Sequence, residues 1–137
     1  MKKMYKIALA YLVFGLVAGL FNHEVAYYTG FTGESVMSIV HTHALVLGTA
    51  VFVLMPVFMK IFKINGVRSF KYFMVVYNIG LVMTLGFMTA RGVTQLFQMA
   101  IPSFADHMIG GMAGIGHVIL TVGIGFLFHA FIKSSDN

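Results

Sequence analysis

Four long, mainly apolar stretches dominate this 137-residue chain, at about 4–22, 35–62, 70–99 and 105–132. A helix needs about 20 such residues to cross the hydrocarbon core of a bilayer. Backbone polar groups in lipid must be satisfied within the segment, which leaves helix as the solution for spans of this kind. The strength of the signal shows between Ser35 and Met59, where there is no Lys, Arg, Asp or Glu. Charged residues make up only 9% of the chain, against about 25% in a soluble domain. The expected fold is an all-α membrane protein, a single domain over residues 1–137 forming a four-transmembrane-helix bundle.

The connections are legible. Thr29-Gly30-Phe31-Thr32-Gly33 has turn composition, and Ser35 is suited to cap the second helix. Asn65-Gly66 marks a tight turn, and Ile101-Pro102-Ser103 breaks the chain before the fourth span. Pro56 is expected to kink the second helix near its end. Met1-Lys2-Lys3 before an apolar run also suits a signal peptide, with Ala18 and Gly19 as small residues. Three further spans follow, and a retained first helix is the expectation.

A net charge of +5 could suggest a nucleic-acid partner, but the placement of the bases argues for a bilayer partner and no nucleic acid. Lys2, Lys3 and Lys6 precede the first span, Lys60, Lys63, Arg68 and Lys71 flank the second-to-third turn, and Lys133 follows the fourth span. In a four-span topology all eight fall on one side, while Glu24, Glu34 and Asp106 fall on the other. Both termini are therefore expected to be cytoplasmic, in a multi-pass protein of a bacterial cytoplasmic membrane.

The ninth base, Arg91, lies inside the third span, and His41-Thr42-His43 lies inside the second. Ionisable groups at membrane depth are costly and usually mark a site. His117 is expected near mid-membrane on the fourth span. His41 and His43 are about 200° apart around a helix axis and face different neighbours. Tyr77, Thr84, Arg91, Gln95 and Gln98 follow seven-, four- and three-residue steps on the third span and read as one polar stripe. Gly110, Gly114, His117 and Thr121 read as another on the fourth, and Gly15 and Gly19 give the first span a small face. A single membrane histidine is more often a packing residue than a ligand. His23, His107 and His129 fit membrane interfaces, and the 11 Met residues fit core and lipid-facing filler.

No cysteine is present, so disulfides, thiolate metal sites, iron–sulfur clusters and c-type heme attachment are excluded. Heme b needs imidazole, an apolar slot and a base for its propionates, and none of these requires cysteine. His41, His43 and His117 are the candidate metal ligands, Gly48 and Gly114 leave room for a flat group, and Arg91 suits a propionate. Zinc or copper would also accept imidazole but usually takes three or more ligands.

Phe31-Thr32-Gly33, His41-Thr42-His43-Ala44-Leu45, Tyr77-Asn78-Ile79-Gly80, Arg91-Gly92 and Gly114-Ile115-Gly116-His117 carry a resemblance, over nearly the whole chain, to a family of small four-span bacterial membrane proteins of unknown function. A second, local resemblance covers His41-Thr42-His43-Ala44-Leu45-Val46-Leu47-Gly48, which is similar to the heme-ligand helices of the heme-copper oxidase catalytic subunit. That subunit has twelve spans in a pseudo-threefold arrangement, so a four-span unit corresponds to one third of it. The likeness implies ligand roles for His41 and His43 and a homotrimer with hemes at subunit boundaries. It lacks the adjacent His-His pair of a copper centre.

The expectation is thus a heme-b-binding membrane protein for electron transfer or small redox or gas chemistry, with a quinone or a redox partner. Two rivals remain: a copper or other metal-ion handling protein on the same histidines, and a cofactor-free assembly partner of a larger membrane complex.

Overall fold

The structure is a computed structural model that describes residues 1–135. Four helices, each long and apolar enough to cross a membrane, carry the chain: α1 (Lys2–Thr29), α2 (Met37–Phe62), α3 (Arg68–Leu96) and α4 (Ser103–Ser135). The all-helical, four-span expectation holds, with shifted ends. α1 continues past Asn22 because His23 and Glu24 do not stop a helix. What stops it is Gly30, in the left-handed region at φ 66°, where the Phe31 amide closes onto the Ala26 carbonyl.

The entry to α2 is tied to α3. The Ser35 hydroxyl accepts the Met37 amide and donates to the Gly92 carbonyl, and the Val36 amide donates to Gln95 Oε1 at 2.8 Å. These bonds satisfy amides that a helix start leaves without partners. Between α2 and α3, Lys63 turns into the left-handed region ahead of a short 3-10 turn at Ile64–Gly66. Pro102 precedes α4, and its carbonyl accepts the Ala105 and Asp106 amides.

The irregular part of α2 lies ahead of the expected proline position. Its turns at Ala44–Ala50 are π-wound, while Pro56 sits buried in the α-helical stretch that follows. π turns are rare and often occur at functional positions. Here the wide turn contains Gly48, on which the Tyr11 ring lies so closely that a methyl at Gly48 would meet Tyr11 Cγ at 2.4 Å. The Leu47 carbonyl in the same turn accepts the Tyr77 hydroxyl at 2.8 Å.

Between helices in lipid, close packing of small residues replaces the hydrophobic effect as the main attraction. α3 and α4 show it best. A methyl at Gly80 would lie 2.4 Å from the Leu120 backbone nitrogen, one at Gly116 would lie 2.6 Å from Thr84 Oγ1, and one at Gly123 would lie 2.7 Å from Tyr77 Cα. Aromatic rings fill the centre, with Phe52 fully buried between Tyr11 and Tyr77 at centroid distances of 6.0 Å each.

α1 packs along α2 and α3 packs along α4, while α2 and α3 join the two pairs. Among the described residues α1 and α4 do not touch, so they occupy opposite corners of a diamond. Two edges of the diamond, α1–α3 and α2–α4, are consequently loosely packed. The Ser134 hydroxyl donates to the Phe62 carbonyl, and Met1 shares a cleft with Met59, Lys60 and Asn65. Met1 and the C-terminal turn of α4 therefore both lie at the α2–α3 turn, at the end that carries eight of the nine bases.

Candidate functional site

The loose α2–α4 edge is where the histidines meet. His43 on α2 and His117 on α4 have ring centroids 6.0 Å apart with planes at 88°. His43 Nδ1 lies 3.0 Å from the Ile39 carbonyl, and His117 Nδ1 lies 2.8 Å from the Ala113 carbonyl, each one turn back on its own helix. A carbonyl can only accept, so Nδ1 carries the hydrogen in both rings. In a neutral imidazole that assignment leaves the lone pair on Nε2. The same Nδ1–H to backbone-carbonyl bond orients imidazoles that ligate metals.

His41 takes the other direction, as its angular separation from His43 requires. It lies against α1, where a methyl at Gly19 would meet its Cβ and Cγ at 3.5 Å. Its Nε2 is 3.4 Å from the Thr42 hydroxyl, and its buried Nδ1 has no partner among the described residues. The three candidate ligands thus divide: His43 and His117 come together and His41 stands apart. Among the described residues no group of three His, Cys, Asp or Glu side chains is placed to hold a metal ion. The division follows the expected separation of His41 and His43 around the helix, and it is His43 that lies beside His117.

Arg91 has a protein partner of its own. Its guanidinium donates to Asp106 Oδ2 at 3.1 Å, joining α3 to the first turn of α4. Asp106 there also complements the positive end of the helix dipole. Gly110 provides the space, since a methyl on it would lie 3.2 Å from the guanidinium. Arg91 Nε is buried and unpartnered among the described residues, while the rest of the guanidinium is partly exposed.

The expected polar stripe on α3 does not act as one unit. Tyr77 bonds α2, Thr84 is sealed under Gly116, Gln95 caps the start of α2, and Gln98 lies beyond the helix with φ 48°. The expected stripe on α4 divides as well. Gly110 faces Arg91 of α3, whereas Gly114, His117 and Thr121 are exposed, and a methyl at Gly114 would meet nothing within 4 Å; the glycines that pack on α3, Gly116 and Gly123, lie outside that stripe. Gly114 does leave room for a flat group, on the open flank of the chain. Gly48 leaves none, because Tyr11 fills the space it opens. The reason is shared: a seven-residue step places residues on one helix face, but only the neighbouring helix decides whether that face is covered.

The remaining histidines lie at the ends. His23 Nδ1 lies 3.2 Å from Glu24 Oε1, His107 is exposed, and His129 Nδ1 is 3.0 Å from the Ser69 hydroxyl. Two functional contacts escaped the sequence reading: Asp106 as the partner of Arg91, and the Tyr11 hydroxyl donating to Asn78 Oδ1 at 3.0 Å. Asn78 had a usable signal, being an amide within the apolar run 73–83.

Fold and site define a four-span helical membrane protein with a pair of lateral imidazoles. The chain belongs to the DUF2871 family, described as a protein of unknown function, whose model matches residues 1–134. No curated protein and no solved structure matches it.

Proposed function

We propose that this protein binds heme b at the α2–α4 edge, with His43 and His117 supplying imidazole to the iron, and that it serves electron transfer or small redox or gas chemistry. The observation that carries the reading is the pair of rings 6.0 Å apart, each anchored through Nδ1 on its own helix. Two such groups on a flank facing hydrocarbon are expensive without a guest. The open face at Gly114 admits a flat apolar macrocycle, and the partly exposed Arg91 guanidinium suits a propionate. His41 is assigned to packing on α1. Bound heme would supply a one-electron couple, whose potential depends on axial ligation and burial.

The flank is open in one chain, so a second copy closes it in this reading. The likeness of the His41–Gly48 stretch to oxidase heme-ligand helices, in a twelve-span subunit with pseudo-threefold symmetry, favours a trimer. The end carrying eight bases is placed in the cytoplasm, by the preference of Lys and Arg for that side.

The test is the cofactor content of protein purified in mild detergent from heme-replete cells. About one heme b per chain or per subunit boundary, by pyridine hemochrome, is the expected result. Colourless protein with stoichiometric copper or zinc would instead establish metal-ion handling by the same pair. Colourless, metal-free protein that co-purifies with other subunits would establish the assembly role.

A further inference from the structure

The second loose edge of the diamond, between α1 and α3, holds a lateral groove of about 490 Å³, on the side opposite the histidine pair. It is lined mainly by apolar side chains, among them Phe14, Val82 and Leu85, with Gly86 in its wall. Its polar lining is Thr89, whose hydroxyl donates to the Leu85 carbonyl at 2.7 Å, and the pair Tyr11 and Asn78. The phenol donates to Asn78 Oδ1 at 3.0 Å, and Asn78 Nδ2 donates to the Met74 carbonyl at 2.8 Å. An amide nitrogen has two hydrogens, so a second one remains beyond the bond to Met74.

Depth narrows the occupant. Asn78 is seven residues past Lys71 on α3 and Tyr11 is five residues past Lys6 on α1. At about 1.5 Å per residue both lie roughly 8 to 11 Å deeper than the last base at that end, inside a hydrocarbon core about 30 Å thick. Phospholipid ester carbonyls stay at the interface and do not reach this level. An acyl chain does reach it but offers the amide nothing. A fitting guest is soluble in hydrocarbon, has an apolar body of drug-like size, and presents a hydrogen-bond acceptor from within that body. The structure assigns this groove, we propose, to the ring of an isoprenoid quinone, with a ring carbonyl accepting from Asn78 and the prenyl tail leaving along Phe14 and Val82 into lipid. This site is independent of the heme reading.

Gly86 provides a clean test. It lines the groove, and a methyl on it would meet nothing within 4 Å, so a larger side chain there occupies the groove without disturbing helix packing. The probe is a photoactivatable azido-benzoquinone with a decyl tail, added to the full-length protein in lipid nanodiscs, with labelled peptides mapped by mass spectrometry. Labelling is expected on the α1 and α3 peptides around Tyr11 and Gly86, competed by decyl-benzoquinone and not by a saturated hydrocarbon of equal length. Gly86→Leu should weaken competition about tenfold or more. Asn78→Leu, which removes one hydrogen bond, should weaken it by about threefold to tenfold. Equal competition by the hydrocarbon would make the groove an acyl-chain contact and overturn the assignment. So would labelling centred elsewhere, or an undiminished signal in Gly86→Leu with unchanged helicity.

Discussion

At the scale of single residues, the two members of His41-Thr42-His43 differ in environment more than in chemistry. His43 has its Nδ1 fixed by Ile39 and its ring beside His117, while His41 is turned onto Gly19 of α1. Their separation could be read from the sequence, because helical geometry puts them about 200° apart. Which ring would meet His117 could not, since that depends on how α2 is set between α1 and α4. Arg91 teaches the same lesson. A guanidinium within a span needs an anion, and the sequence could not show that Asp106 lies within reach. Removing one member of this pair strands a partly shielded charge in the other. Arg91→Gln and Asp106→Asn are therefore each expected to lower the thermal midpoint in detergent. The double variant should lose less than the sum, with a coupling of about 1 kcal/mol in a double-mutant cycle.

At the scale of elements, all four helices were foreseeable from apolar length alone, because lipid allows a spanning segment no other structure. Their ends and irregularities were less so. Gly30 sets the end of α1 through its left-handed backbone, and the π turns of α2 occur at Ala44–Ala50 instead of at Pro56. Gly48 was legible as small and was read as room for a cofactor, but Tyr11 takes that room. Gly114-Ile115-Gly116 shows the limit most sharply. Gly116 closes onto Thr84 and Gly114 opens outward; helical geometry puts them about 200° apart but does not say which of the two faces meets α3. Gly116→Leu is expected to drive α4 off α3, costing about 3 kcal/mol or more by overpacking. It should be seen as loss of folded protein on size exclusion. Gly114→Leu should leave the monomer folded and lower cofactor content, a result that absorbance per chain would report.

At the scale of the whole molecule, the diamond of helices has two tight edges and two loose ones, and both candidate sites lie on the loose pair. Met1, the C-terminal turn of α4 and eight of the nine bases gather at one end of the structure. A chain without cysteine makes the orientation directly measurable. Single cysteines at Asn65 and at Gly33 should differ, with the Gly33 position labelled by a membrane-impermeant maleimide on intact spheroplasts and the Asn65 position labelled only after lysis. The reverse pattern would invert the topology. The account as a whole depends on imidazoles being held at membrane depth for a guest, and ligand substitution examines that most directly. The measurement is the Soret absorption of purified wild type beside His43→Ala, His117→Ala and His41→Ala, each with helicity checked. Heme in the wild type and in His41→Ala, lost or spectrally shifted in His43→Ala and His117→Ala, is the expected result. Equal heme in all four proteins, or none in the wild type, would contradict it.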